Sequence, residues 1–145
     1  MNEEELLRAL ANGQSFAGAT LHGCDFRGKS LVGANLAGAK LSYVRFEGAD
    51  LRGANLSGAT LTACRLGAAV LEGARLDEAT LTGVDLSGAF ARGARLDGAK
   101  ALNLVAMAAD LRQTSMIGVT FPMARLQRCA SPKRRSKEGR CSPPT

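Results

Sequence analysis

The sequence predicts an elongated solenoid, and three features of one repeat pattern predict it. Leu or Phe occupies the centre of 19 of 23 consecutive five-residue units between Phe16 and Leu126. The position two residues earlier is Ala, Cys or Val in 19 units, and the position two residues later is Gly in 14. We call these positions i, i−2 and i+2. Such a long regular pattern indicates a repeating buried core.

The five-residue period fits neither a straight strand nor an α-helix. On a strand, residues five apart point to opposite faces, because side chains alternate with a period of two. On an α-helix, successive central residues would lie about 140° apart around the axis. One face stays buried only if the chain bends once per unit, with i−2 and i inward and i−1, i+1 and i+2 outward. Gly at i+2 suits such a corner because it tolerates positive φ.

Three units carry a recognisable motif. Residues 34–38 read Ala-Asn-Leu-Ala-Gly, residues 49–53 Ala-Asp-Leu-Arg-Gly and residues 54–58 Ala-Asn-Leu-Ser-Gly. These units match the motif A(D/N)LxX, and residues 14–128 resemble the pentapeptide-repeat family. The resemblance implies an all-β solenoid, a right-handed quadrilateral β-helix with four units per coil and about six coils.

Residues 1–13 lie outside the repeat and predict a short helix that caps the first coil. Asn2 is a candidate N-cap, three glutamates follow it, and Gly13 is a candidate C′ residue. Leu6, Leu7 and Leu10 share one side of this helix. The segment lacks the basic and long apolar regions of a signal peptide, and no stretch reaches transmembrane length.

The repeat becomes irregular after Gly98. Ala101 and Ala106 replace Leu at the centre, and a slip of one residue would bury Leu102 and Met107 instead. Both registers remain open at this point, over residues 99–108. Residues 129–145 are polar, basic and proline-bearing, which predicts a disordered tail.

The net charge of +6 divides into −2 for residues 1–13, +4 for the repeats and +4 for residues 129–145. The basic tail is a candidate for contact with nucleic acid or anionic lipid, although we favour a solubilising extension because no aromatic residue accompanies its charges. Cys24 and Cys64 occupy inward positions two coils apart, too far for a disulfide. Cys129 and Cys141 fall in the predicted tail and could pair. Buried free thiols favour the cytoplasm.

Nothing in the sequence indicates catalysis. His22 is the only histidine, it occupies an outward position, and no cluster at metal-ligand spacing surrounds it. The glycines belong to the corners and form no phosphate loop. We therefore predict a protein that is not an enzyme and that has no catalytic, cofactor-binding or metal-binding residues and no cofactor.

Residues twenty apart should stack on one side of a four-sided coil. Arg75 and Arg95 then stack at i−1, with Asp77 and Asp97 two residues along, which suggests self-compensated charge ladders. Arg45 and Arg65 also stack. On another side the outward i+1 positions carry a mixed series of charges: Arg52, Glu72, Arg92 and Arg112.

The repeat pattern also places apolar residues on the outside. They form a candidate partner or dimer surface, which comprises Val70, Phe90, Leu102, Val105, Met107 and Ile117. Exposed apolar clusters mark partner sites, and the resemblance implies dimerisation through terminal coils. The alternative is that a register slip buries several of these residues. We predict a cytoplasmic interaction or scaffolding module whose partner is another protein or a second copy of the chain.

The sequence also suggests two other functions. The resemblance suggests a modulator of DNA gyrase of the quinolone-resistance type, whose members imitate DNA with an acidic rod. The repeats here carry +4, which argues against such mimicry. A Thr-rich side, with Thr60 and Thr62 stacked on Thr80 and Thr82, suggests ice binding, but Lys40 and Lys100 bracket it and Thr is ordinary in strands.

Overall fold

The computed structural model describes residues 3–130, which form one helix followed by a four-sided parallel β-solenoid. Helix α1 spans Glu3–Ala11. The strands are β1 Thr20–His22, β2 Lys40–Ser42, β3 Thr60–Thr62 and β4 Thr80–Thr82, which pair in parallel in the order β1-β2-β3-β4. The predicted quadrilateral β-helix is confirmed.

Every pairing joins residues twenty apart, so one coil contains 20 residues. Thr20 pairs with Lys40 at the start of the sheet, and single parallel bridges continue this spacing on the other sides as far as Asp110 and Ala130. We number the four sides by their central residues. Face 1 is centred on Leu36, Leu56, Leu76 and Leu96; face 2 on Leu41, Leu61 and Leu81; face 3 on Phe46, Leu66 and Leu86; and face 4 on Leu51, Leu71 and Ala91.

The central and i−2 side chains fill the interior. From Phe26 to Leu111, every central residue is buried, and the i−2 alanines from Ala34 to Ala109 lie beside them. Phe26 and Phe46 stack in adjacent coils with ring centroids 5.4 Å apart. The inward positions predicted from the five-residue period are therefore the core.

The corners after most faces are hydrogen-bonded turns. At the corner after Leu56, the amide of Ala59 donates to the Leu56 carbonyl at 3.0 Å, and Gly58 adopts φ 65°. Positive φ at the third residue defines a type II turn, which explains the preference for Gly at i+2. Among the described residues, nine corners hold a residue other than Gly at positive φ, and Tyr43 has the largest side chain of these nine.

The structure answers the register question between residues 99 and 108. Ala101 and Ala106 are completely buried, whereas Leu102 is 41% exposed and Met107 39%. Leu104 lies between these two alanines in the sequence, at an i−2 position where Ala is usual. Its side chain is buried. Its larger side chain offsets the volume that the central alanines give up, so the chain keeps its register. The slipped alternative is wrong.

The two ends differ. Leu6 and Leu10 of α1 are buried against the first coil, and the helix ends in a Schellman motif: Gly13 N donates to Leu10 O and Gln14 N to Ala9 O. The candidate N-cap Asn2 lies outside the described residues. Within residues 3–130, no helix is long and apolar enough to cross a membrane.

At the C-terminal end, one boundary needs correction. Cys129 is buried, its thiol donates to the Ala106 carbonyl, and Ala130 bridges to Asp110. These two residues therefore continue the last coil, whereas the sequence assigned them to the tail. Cys24 and Cys64 are free thiols, and Cys141 lies outside the described residues.

Candidate interaction surface

The six apolar residues selected from the sequence all keep outward positions. Phe90, Leu102, Met107 and Ile117 are exposed, and Val70 and Val105 are partly buried. The strand alternation explains this placement, since each lies at i−1 or i+1 next to an inward central residue. Their side chains therefore contribute apolar surface that no part of the described chain covers completely.

The structure does not bring these six residues together on one side. Val70 and Phe90 stack on face 4. Leu102 belongs to face 2, Val105 and Met107 to face 3 and Ile117 to face 1. A partner that contacts one flat side would reach at most two of them, so the six residues define at least two separate surfaces.

The first surface is the C-terminal end of the rod. Central residues Met116, Phe121 and Leu126 are only partly buried there, although they pack against the core. Ile117, which is 65% exposed, and Met123, which is 78% exposed, flank this end. We call these five residues the end surface. Leu102 and Met107 lie one coil behind it.

Sequence reasoning missed Met123, the most exposed of the large apolar residues. It occupies an i+2 corner with φ 58°, a position that usually holds Gly and points outward. A large apolar residue at a corner was the signal available in the sequence. Tyr43 carries the same signal at the equivalent corner four coils earlier, where it is 60% exposed.

The second surface is face 4, whose outer residues form two columns along the rod. The i−1 column contains Ser30, Asp50, Val70, Phe90 and Asp110, and the i+1 column contains Val32, Arg52, Glu72, Arg92 and Arg112. Val70 and Phe90 thus form a small apolar centre. Charged residues surround it above, below and beside.

Asp and Arg two residues apart form closed pairs on this face. Arg52 Nε donates to Asp50 Oδ1 at 2.9 Å and Arg52 Nη2 to Asp50 Oδ2 at 2.6 Å. Arg112 and Asp110 repeat this geometry at 2.8 and 2.7 Å. The backbone amide of each Arg also donates to its Asp. Such bidentate pairs are geometrically specific, and we call them clamps.

A third clamp joins Asp25 and Arg27 on face 3. The hydrogen bonds from Arg27 lower the pKa of Asp25 to about 2, and those from Arg112 lower the pKa of Asp110 to about 2. The hydrogen bond from Arg52 lowers the pKa of Asp50 as well. All three carboxylates are therefore charged at neutral pH.

These shifts predict a pH dependence of stability. Because the carboxyl pKa is lower in the folded chain than the ordinary value of 3.8, the clamps stabilise the fold above about pH 4 and lose this effect as the pH falls towards 2. We expect the variant Asp25→Asn/Asp110→Asn to have a lower melting temperature than the wild type at pH 7. At pH 2 the two melting temperatures should be nearly equal. A constant difference across this range, measured by circular dichroism, would contradict the clamps, and high salt should reduce the difference at pH 7.

The charge ladder predicted for face 1 is confirmed. Asp77 lies between two arginines, with Oδ2 at 3.5 Å from Arg75 Nε and Oδ1 at 3.3 Å from Arg95 Nε. Arg95 also contacts Asp97 at 3.7 Å. The stacked arginines are thus compensated within the rod, and this face presents little net charge to a partner.

The histidine and acidic side chains of the described residues do not gather into a metal-binding cluster. His22 is exposed and makes an edge contact with Tyr43, with ring centroids 5.5 Å apart. Over residues 3–130, no group of three or more His, Cys, Asp or Glu side chains is placed to hold a metal ion. The rod presents two apolar surfaces, one at its C-terminal end and one at the centre of face 4.

The parallel coils, with twenty residues each and outward side chains that vary from face to face, define a repeat protein of the β-solenoid class. The model of the family of pentapeptide repeats matches residues 30–67 and 64–100, in eight copies. The chain belongs to the pentapeptide-repeat family. A comparison with curated proteins found no match.

Solved structures show the same fold. A pentapeptide-repeat protein, Rfr23, from the cyanobacterium Cyanothece 51142 is 19% identical, with a TM-score of 0.63 over 86% of this chain and 95% of its own. The protein alr5209 from Nostoc PCC 7120 is 28% identical, with a TM-score of 0.60 over 81% of this chain and 93% of its own. A trypsin-treated form of QnrB1, a plasmid-mediated fluoroquinolone resistance protein, is 21% identical over 78% of this chain and 75% of its own, but its TM-score of 0.32 supports no argument about function.

Proposed function

We propose that this protein is a non-enzymatic interaction module that binds a second copy of itself through the end surface. The observation that carries this proposal is the position of the exposed apolar residues at the C-terminal end. Ile117 on face 1 and Met123 at the corner of faces 2 and 3 flank the partly buried Met116, Phe121 and Leu126. A single partner reaches all five only from the end of the rod.

The contrast between the two ends supports this mode of binding. At the N-terminal end, α1 covers the core with Leu6 and Leu10. At the C-terminal end, no element among residues 3–130 covers the core. A solenoid needs a cap at each end, because the last coil exposes core side chains and unpaired backbone groups. A second copy supplies both apolar surface and backbone partners.

Other features fit an interaction role better than the alternatives. The buried thiol of Cys64 is free, which supports a reducing compartment, so we assign the protein to the cytoplasm. A gyrase modulator of the acidic-rod type finds less support, since arginines stack on faces 1 and 3. Ice binding by face 2 also finds less support, because Lys40 and Lys100 interrupt the Thr residues of the sheet.

Sedimentation velocity tests the proposal. We expect the full chain to associate as its concentration rises to about 100 µM, where a contact with micromolar Kd is largely formed. Ile117→Lys/Met123→Lys should weaken the end contact by about tenfold or more, because it places charge in a desolvated apolar surface. Tyr43→Lys is a matched control, since Tyr43 occupies the same type of corner, is similarly exposed and lies far from the end.

Two results would overturn the proposal. One is a wild-type protein that remains monomeric over this concentration range. The other is association that Tyr43→Lys and Ile117→Lys/Met123→Lys reduce equally, because a general effect of added lysine would then explain the loss. Circular dichroism of each variant would confirm that the fold is retained.

A further inference from the structure

Face 4 differs from the other faces in the two corners that border it. Over most of the rod both corners hold only small residues, and the exceptions are Gln113 and Arg128 near the C-terminal end. The small residues are Gly28, Gly48, Ala68, Gly88 and Ala108 on one side and Gly33, Gly53, Gly73 and Gly93 on the other. Between Ser30 and Arg92, the corner positions on both edges of face 4 therefore carry no large side chain. A flat partner can therefore approach the apolar centre, Val70 and Phe90.

The two columns of face 4 carry opposite charges. The i−1 column contains two acids, Asp50 and Asp110, and no base, so its net charge is −2. The i+1 column contains three arginines and Glu72, so its net charge is 3 − 1 = +2. A surface with one acidic and one basic column is complementary to itself when it is rotated by a half-turn about an axis along the rod.

We propose that face 4 is a lateral binding surface for a second copy of this chain, with the two rods side by side and parallel. In this arrangement the i−1 column of one copy lies opposite the i+1 column of the other. Asp50 then faces Arg52 of the second copy, Asp110 faces Arg112, and Phe90 faces Arg92. Phe90 can pack against the guanidinium plane of Arg92. This contact is separate from the end surface and goes beyond the proposed function.

The antiparallel alternative is electrostatically worse. It would place each i−1 column opposite the i−1 column of the other copy, so Asp50 would face Asp110 and Arg52 would face Arg112, and only Glu72 and Arg92 would form an attractive pair. Like charges directly opposite each other are unfavourable. Because each clamp is a dipole with its Asp in one column and its Arg in the other, parallel rods also place facing dipoles side by side in opposite directions, with each Asp against an Arg.

The size of the face indicates a weak contact. Five coils at about 4.8 Å each, with three residues of about 3.3 Å across, give a flat area of roughly 240 Å² per copy. This is well below the roughly 800 Å² per partner of a standard interface. The lateral contact should therefore form at high protein concentration and weaken as salt is added. It would let rods that are joined at their ends assemble further.

The first test removes the apolar centre while the end contact is blocked. In the Ile117→Lys/Met123→Lys background, we expect a concentration-dependent dimer in sedimentation velocity at low salt. Phe90→Lys in this background should weaken the dimer by about tenfold or more. Thr80→Lys, at the i−1 position of the opposite face, should leave it unchanged. A monomer in the end-blocked background would overturn the lateral contact and leave the end contact standing.

The second test exchanges the charges of the two columns. The variant Asp50→Arg/Arg52→Asp/Asp110→Arg/Arg112→Asp, made in the end-blocked background, keeps opposite charges in each pair but reverses both columns. We expect this variant and the unswapped protein each to dimerise alone and not to mix. Native mass spectrometry of an equimolar mixture measures this when one of the two proteins is labelled with ¹⁵N, because the swap leaves the mass unchanged. Predominant heterodimers would show antiparallel rods, and random mixing would show that charge plays no part; either result would overturn the proposal. If the swapped chain does not fold, the comparison of Phe90→Lys with Thr80→Lys still decides whether face 4 binds.

Discussion

Leu104→Ala is expected to lower the free energy of unfolding by about 3–5 kcal/mol, the upper part of the range for buried Leu→Ala changes. Leu104 is buried, and the central residues on either side of it, Ala101 and Ala106, are completely buried alanines. Small neighbours cannot extend into the space that the missing side chain leaves. The cavity should therefore persist, and its cost adds to the lost transfer free energy.

Urea unfolding provides the measurement, and Leu102→Ala provides the control. Leu102 is the same residue type two positions earlier but points outward, so its loss should cost about 0.5 kcal/mol or less. Ala106→Leu should restore part of the stability of Leu104→Ala, because it returns volume to the same coil. If Leu102→Ala cost as much as Leu104→Ala, the register over residues 99–108 would be the slipped one.

A second pair of substitutions should change stability in opposite directions. Gly58 adopts φ 65°, and a Cβ there would meet no atom within 4 Å. Gly58→Ala should therefore cost about 1–2 kcal/mol through backbone strain alone. Gly67 lacks positive φ, and its Cβ would lie at an ordinary 3.5 Å from the Ser87 carbonyl oxygen. Gly67→Ala should stabilise by about 0.4–1 kcal/mol, since alanine restricts the unfolded chain more than glycine does.

The two glycine variants control for each other, because both add one methyl group to the outside of the rod. Thermal unfolding should show a lower midpoint for Gly58→Ala and a higher one for Gly67→Ala. A shift of the same sign in both would mean that the positive φ of the corner does not explain the preference for Gly at i+2.

Much of the fold was predictable because the repeat has a geometric cause. A five-residue period buries one set of side chains only if the chain turns once per unit, and no regular helix or strand meets that condition. The capping helix was also predictable, since Leu6 and Leu10 lie one turn apart and Gly13 can end the helix. These features depend on local spacing, which a sequence displays directly.

Other features depend on which residues compensate for one another in space. Central alanines at 101 and 106 suggested a slip, and only the burial of Leu104 showed how the unslipped register keeps its volume. The clamps at Asp50 and Asp110 were visible as Asp and Arg two residues apart. Their closed geometry was not, because it depends on the rotamers of two exposed side chains.

The sequence by itself determined that the chain forms a solenoid, which positions face inward and where the repeat becomes irregular. Local covalent spacing and the burial of apolar residues are sufficient for these conclusions. Only the tertiary structure decided which exposed apolar residues stay uncovered at an end. The stacking of Val70 and Phe90 follows from the twenty-residue spacing, whereas the exposure of Ile117 and Met123 at the end of the core does not. That exposure depends on which coils are last and on the height of neighbouring side chains, and a one-dimensional pattern contains neither.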